Sequence, residues 1–471
     1  TDAAMDLGCT PVQAFFKVVI HEIMPGIVAG GIMAFTMSLD DFVISYFVTG
    51  PDFVTLPVEI YTYTKKPIHP KVYAMFTLLF GLIFVLMLTM NLLQLRADKK
   101  KLDKRPVSRG WMIARRWIAA AVAVCLLIGC GFLFFENRQE KITLNVYNWG
   151  MNMADGTDGT MDLVAEFEKR YPYIDVNMSE YDSNETLYTK LSSGGITVDV
   201  IIPSDYMIGR MIAEDMLLEL DFDNIPNFSH VDEQFKNPAY DPENKYSVPY
   251  TWGTVGILYN TKYVDEEDVT GWELLWNEKY AGKILMIDNS RDAFGIAQYL
   301  LGYSVNTMDK DELQACADKL AEQRPLVQQY VMDQIYSTME NEEAYIAVYY
   351  AGDCMLMMEE NPDLAFYLPE NQGFNLFTDA MCIPKCCKEK EAAELFINFL
   401  CDPEISGANM DYICYASPIS AAKDYMEDYL KESEVVYPSP EVLERGTAYA
   451  YLSEEISRYV ESLYQAATKI G

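Results

Sequence analysis

Apolar positions fall along this chain in two different patterns. In the first 140 residues they form long uninterrupted runs. Val72 to Leu95 is 24 residues without a charge, and Trp117 to Phe135 is another 19. A bilayer core about 30 Å thick needs roughly 20 apolar helical residues, so both runs predict spanning helices. A third candidate covers about residues 23–48, rich in Gly and Ala and interrupted by Asp40 and Asp41. From Lys141 the pattern changes to short β-branched and aromatic runs alternating with amphipathic stretches. Strands are expected at 141–149, 175–181, 198–203, 283–288 and 345–350, with helices at 161–171 and 185–191. Strand–helix alternation over this length predicts α/β layers built on mainly parallel sheets.

Charge orients these segments. The chain of 471 residues has a formal net charge of −34 from 36 Lys and Arg against 70 Asp and Glu. Residues 1–140 hold 14 basic and 11 acidic side chains, leaving 22 basic and 59 acidic for the rest. Nine of the basic residues lie between Arg96 and Arg116, beside only two acids. Such a loop stays in the cytoplasm. Residues 72–95 then run outside to inside and 117–135 inside to outside, so everything after about Glu136 is delivered outside. By the same alternation residues 1–22 are cytoplasmic and 49–71 form an external loop. The acidic outer part repels phosphate backbones, which excludes nucleic acid and favours cationic partners.

Three histidines (His21, His69, His230) leave little scope for an imidazole-based site. Ten cysteines include seven in the outer part, with no CxxC spacing, and are expected as buried thiols rather than metal ligands. Leu127-Ile128-Gly129-Cys130 has the form of a lipoprotein cleavage box, but the apolar run continues to Phe135, which favours an uncleaved anchor. The chain opens on Thr1, so it is expected to be a fragment or processed chain that lacks earlier helices.

Asp2-Ala3-Ala4-Met5-Asp6-Leu7-Gly8, with the helical stretch to Met24-Pro25-Gly26, resembles the cytoplasmic coupling loop of ABC importer permeases. Ser38 to Ile44, Thr49-Gly50-Pro51 and Leu56-Pro57 are similar to the polyamine-type permeases. The resemblance covers about residues 2–95. It implies that Asp2, Ala3, Ala4 and Gly8, within a loop of residues 2–25, meet a cytoplasmic ATPase. It also implies a second permease subunit and a setting in membrane lipid. Asp2 stands where the family prefers Glu, and His21 lies near a usual proline.

The outer part resembles the periplasmic spermidine/putrescine-binding proteins. The stretches that carry this are Tyr147-Asn148-Trp149, Tyr181-Asp182-Ser183-Asn184-Glu185-Thr186, Tyr246-Ser247-Val248-Pro249-Tyr250 and Trp272-Glu273-Leu274-Leu275-Trp276. The whole chain is thus expected to be a membrane α-helical segment (about three transmembrane helices) followed by an α/β two-lobed, type II or flytrap, binding domain. The parts are residues 1–95 as permease fragment, 96–116 as basic linker, 117–135 as anchor and 141–471 as binding domain. Crossovers between the lobes are implied near 252–260 and 374–384.

The same resemblance implies a ligand site of Trp149, Ser204, Tyr206, Asp292, Tyr350, Phe377, Asp379 and Tyr415. A polyamine presents ammonium groups separated by methylenes. Carboxylates suit the ends, through charge-assisted hydrogen bonds, and aromatic faces suit the middle. Asp292 and Asp379 would anchor ammonium, Trp149, Tyr350 and Phe377 would line the methylenes, and Ser204, Tyr206 and Tyr415 would supply hydroxyls. Gly150-Met151-Asn152 stand where the family often has an acid and a tyrosine, Asn289 occupies a position that is acidic in some spermidine binders, and Tyr449 falls near a late polar position.

These features predict a non-catalytic importer component: a permease fragment fused to its own substrate-binding protein, taking up spermidine or putrescine. No GxxxxGK[ST] segment occurs, so ATP hydrolysis is assigned to a separate subunit. The alternatives are a receptor for another small cation, or a membrane-anchored hydrolase using Asp292 and Asp379.

Overall fold

The computed structural model describes residues 5–6, 8–20, 23, 141–194 and 196–469. The three expected spanning stretches, the basic linker, Asp2, Ala3, Ala4 and His21 lie outside the described residues. No helix among the described residues is long and apolar enough to cross a membrane. Near the start, Gly8 takes φ +89 in a turn, and Thr10 forms a capping box with Gln13 ahead of the short helix Pro11–Ala14.

The outer part begins with β1 (Ile142–Trp149), α1 (Leu163–Arg170), β2 (Ile174–Tyr181), α2 (Asn184–Ser192), β3 (Val200–Ile201) and α3 (Asp205–Ala213). β1 is buried through its middle on both faces, as a central parallel strand should be. It pairs in parallel with β2 and β3. α1 is capped by Asp162, whose side chain accepts from the Ala165 N–H, and carries Lys169 and Arg170 in its last turn. The strand expected over 198–203 shrinks to two residues. Asp199 turns its carboxylate back onto the Asn145 N–H at 2.9 Å, and Pro203 lacks an N–H to continue the ladder.

β4 (Ser247–Asn260) is the longest strand. Beyond it come β5 (Ile284–Ile287), α4 (Ser290–Leu301), α5 (Lys310–Gln323), β6 (Val327–Val331), β7 (Ile346–Tyr350), α6 (Ala351–Glu360) and β8 (Leu364–Tyr367). The chain then returns through β9 (Phe374–Cys382), α7 (Lys390–Leu400), α8 (Pro403–Ile413), β10 (Gly446–Thr447) and α9 (Glu454–Thr468).

The strand order β2-β1-β3-β9-β4-β7-β5-β6 places β4 and β9 in the middle. Residues 247–254 of β4 pair with β9, and residues 255–260 pair with β7 and β8. One strand therefore belongs to two lobes. The first lobe packs Leu144, Val200, Phe167 and Phe396 into its core, and the second packs Trp272, Ile284, Ile346 and Phe294. The expectation of mainly parallel sheets needs correcting here. Within the lobes β1 pairs in parallel with β2 and β3, β5 with β6 and β7, and β10 with β9. But β4 runs antiparallel to β7, β8 and β9, and β9 to β3, because a strand that leaves one lobe must return from the other. A register shift between Pro249 and Thr251 bends β4 where proline offers no donor. A third link runs beside them: the Trp252 N–H and the Thr251 hydroxyl both donate to the Ala416 carbonyl, at 3.1 and 3.0 Å.

Candidate ligand-binding cleft

The cleft is assembled from helix starts and strand ends. On the first lobe Ser183 caps α2, its hydroxyl accepting from the Thr186 N–H at 3.1 Å, and this sets Asn184 at the first helical position. Asn184 then bridges to the start of α3. Its amide donates to the Ser204 hydroxyl and to the Tyr206 hydroxyl, each at 3.1 Å, while its oxygen accepts from the Ser204 N–H at 3.2 Å. The Tyr206 hydroxyl donates to Glu185 at 3.0 Å, and Ser204 donates to Asp379 of β9 at 2.7 Å.

On the second lobe Asn289 caps α4, accepting from the N–H groups of Arg291 and Asp292 at 2.8 and 3.1 Å. That cap fixes Asp292 in the first turn, where the Tyr350 hydroxyl donates to it at 2.9 Å and the Asn375 amide at 3.3 Å. The Phe377 ring stands edge-on to Tyr350 at 5.4 Å and to Tyr415 at 6.2 Å. Behind the cleft the Arg291 guanidinium lies 4.3 Å from the Tyr449 ring centre.

The cleft is lined by Asn184, Ser204, Asp205, Tyr206, Asn289, Asp292, Tyr350, Asn375, Phe377 and Tyr449. Five of the eight expected residues line it: Ser204, Tyr206, Asp292, Tyr350 and Phe377. Asp379 sits one hydrogen bond behind Ser204. The Trp149 ring packs at a tilt against Tyr181, 4.8 Å between centres, and donates its indole N–H to the Ile202 carbonyl. The Tyr415 hydroxyl is committed to Asp353, which also accepts from Tyr336. Sequence reasoning did not assign Asn184, Asp205 or Asn375 to the site. Asn184 was within reach, because it lies inside the Ser-Asn-Glu-Thr stretch that carries the resemblance.

The electrostatics are one-sided. Asp205, Asp292 and Asp379 are at least nine-tenths buried. Burial pushes Asp379 up to about 7, helped by the charge of Asp353 and opposed by the Ser204 hydroxyl. Burial likewise raises Asp205 to about 8 and Asp353 to about 6. Asp292 is raised by burial, against the pull of Tyr350 and Arg291. Among the described residues no lysine or arginine forms a salt bridge with any of the four. Buried carboxylates in that condition favour a cation brought from outside.

Two α/β lobes joined by crossing strands, with a lined cleft, define a periplasmic-binding-protein fold. Residues 196–442 match the bacterial extracellular solute-binding protein family, and residues 1–103 match the binding-protein-dependent transport system inner membrane component. The chain belongs to that solute-binding protein family, with a permease segment fused ahead of it.

The spermidine/putrescine-binding periplasmic protein of Escherichia coli K12 is 32% identical over 311 residues, 66% of this chain and 87% of the relative. The putrescine-binding periplasmic protein PotF of the same strain is 27% identical, covering 70% of this chain and 91% of that protein. Among solved structures, the spermidine/putrescine substrate-binding protein PotD of Streptococcus pneumoniae matches with TM-score 0.60 and 34% identity, over 69% of this chain and 98% of its own. The TpPotD lipoprotein of Treponema pallidum matches with TM-score 0.62 and 27% identity, over 69% of this chain and 99% of its own.

Proposed function

We propose that the outer part of this chain captures a polyamine, spermidine or putrescine, and delivers it to the permease to which it is fused. The observation that carries this reading is Asp292: a buried carboxylate held by Tyr350 and Asn375 in an aromatic-lined cleft, with no side-chain cation bridged to it among the described residues. A linear amine would place its ammonium on Asp292 and its methylenes against Phe377 and Tyr350. Asp379, through Ser204, adds negative potential. Trp149 and Tyr415 support the walls through Tyr181 and Phe377.

In the same reading residues 23–48, 72–95 and 117–135 cross the cell membrane, with residues 141–471 on the extracytoplasmic side. Asp2, Ala3, Ala4 and Gly8 belong to the contact with a separate ATPase, and a second permease subunit completes the pore. Tethering turns delivery into an intramolecular event, at an effective concentration of about mM for a short linker.

Residues 141–471 correspond to nearly the whole of the solved relatives, so this part is expected to fold alone. Calorimetric titration with spermidine, putrescine and lysine should show micromolar or tighter binding to a polyamine. Asp292→Ala should weaken it by about 2–5 kcal/mol, the usual cost of truncating a buried charged partner. No binding to either polyamine would overturn the assignment.

A further inference from the structure

Asp205 stands out on the side of the cleft across from Asp292. It is the first residue of α3, only 1% exposed, and part of the cleft lining. One carboxyl oxygen accepts from the Tyr206 N–H at 2.7 Å. The other, Oδ2, is buried and has no hydrogen-bond partner among the described residues. A helix start needs no such burial, because an acid there can complement the dipole from the surface. A second lining group shows the same deficit. Asn375, on β9, is 4% exposed, gives its amide to Asp292 and leaves its oxygen unpaired.

Once Asp205 is ionised both orphans are acceptors, and leaving a buried acceptor unmet costs more than a made bond returns. What the cleft lacks is therefore donors. A primary or secondary ammonium group carries two or three N–H donors and no acceptor, which matches that deficit.

We infer that Asp205 is a further ligand-binding carboxylate of the cleft, holding an ammonium group from the first lobe while Asp292 holds another from the second. The inference rests on the polyamine reading and deepens it, because a site with carboxylates on two lobes selects a ligand with at least two separated cations. A monoamine can satisfy one lobe only.

The groups facing Asp205 fix its protonation. The charge of Asp379 on β9 adds to burial in raising it, while Arg291 on α4 and the amides of Tyr206 and Thr378 oppose. The Tyr240 hydroxyl, itself without a partner, lies close enough to feel the Asp205 charge. With a pKa of about 8 the free cleft holds Asp205 as the neutral acid at pH 7. An arriving ammonium favours the ionised form, so the carboxyl O–H bond breaks and the proton leaves to solvent on binding.

The test is calorimetry on the whole chain in detergent, with spermidine and putrescine at pH 7, in two buffers of different ionisation enthalpy. The unmutated chain should release protons on binding. Asp205→Asn should bind at least about tenfold more weakly and release fewer protons per ligand. Asp205→Ser, which keeps an acceptor for the Tyr206 N–H, should behave alike and serves if the first variant does not fold. Unchanged affinity and proton release in a folded variant would overturn the inference and leave Asp205 as a structural acid facing Tyr240.

If neither variant folds, putrescine is compared with n-butylamine on the unmutated chain. A preference of at least about tenfold for the diamine supports a second anchoring carboxylate, and equal affinity overturns it. Absence of polyamine binding by the unmutated chain overturns this inference together with the proposed function, whereas loss of the Asp205 effect alone leaves that function standing.

Discussion

Asp379→Asn separates stability from binding. The side chain is buried, its Oδ1 accepts from Ser204, and its pKa rises from 3.8 to about 7. A raised carboxyl pKa means that the folded state prefers the protonated form. Stability from this group is fully present below 3.8 and is lost as pH climbs through about 7. At pH 8 the ionised carboxylate therefore penalises the unliganded fold. The rise from 3.8 to about 7 sets a ceiling of about 4 kcal/mol. Relaxation around buried ions and the new amide's own need for an acceptor reduce that to about 1–2 kcal/mol.

Asn has the same shape and keeps the acceptor for Ser204, so it should relieve the penalty. For a segment of about 330 residues the unfolding entropy is about 0.7 kcal/mol per degree, so Tm at pH 8 should rise by about 2 °C. The gain should shrink as pH falls toward 4, where both chains are neutral at this position. Ligand reverses the order. At a hundredfold excess over Kd a bound polyamine stabilises the unmutated fold by about 2.7 kcal/mol, and the variant, having lost negative potential, should gain less. The assay is a thermal melt at pH 5 and pH 8, with and without spermidine. A lower Tm for Asp379→Asn at pH 8, or an equal gain at both pH values, would refute the reasoning.

Two further substitutions probe the same neighbourhood. Gly295→Ala places a Cβ 2.1 Å from the Tyr449 hydroxyl, so Tyr449 must leave its place in the cleft wall. Calorimetry should show weaker polyamine binding with circular dichroism unchanged. Tyr415→Phe removes one of two hydroxyls that donate to Asp353, whose pKa of about 6 those donors hold down against burial. Because they favour the ionised form, the variant should lose more stability at pH 7.5 than at pH 5, which melts at the two values will show.

What the sequence disclosed about the cleft was local. The Asn289 cap and Asp292 lie within one turn of each other, so the string Asp288-Asn289-Ser290-Arg291-Asp292 already contains the geometry that aims Asp292. Ser204 and Tyr206 are placed in the same way by a strand ending at a helix start. Burial of β1 and the alternation of strands and helices likewise follow from short-range pattern. The antiparallel course of β4 and β9 does not, because it reflects where a strand goes after it leaves a lobe, which no periodicity records.

The residues that close the cleft are a long-range matter too. Asn184 reaches Tyr206 across 22 positions and Asn375 reaches Asp292 across 83, so their identity as amides carries no mark of the contact. Aromatic type misleads for the converse reason. Trp149 at a strand end suits a ligand wall, yet the Tyr181 ring packs against it at a tilt from the next strand and the Ile202 carbonyl accepts its indole N–H.

Asp205 shows the limit most plainly. An acid at the first position of a helix is ordinary in sequence, where it reads as a dipole partner in water. Its meaning changes only once β9 and the two helix starts cover it and one oxygen is left without a donor. Chemistry that depends on an unmet hydrogen bond belongs to the enclosure rather than to the residue. The carboxylates of this cleft acquire their affinity for a cation from the walls that deny them water.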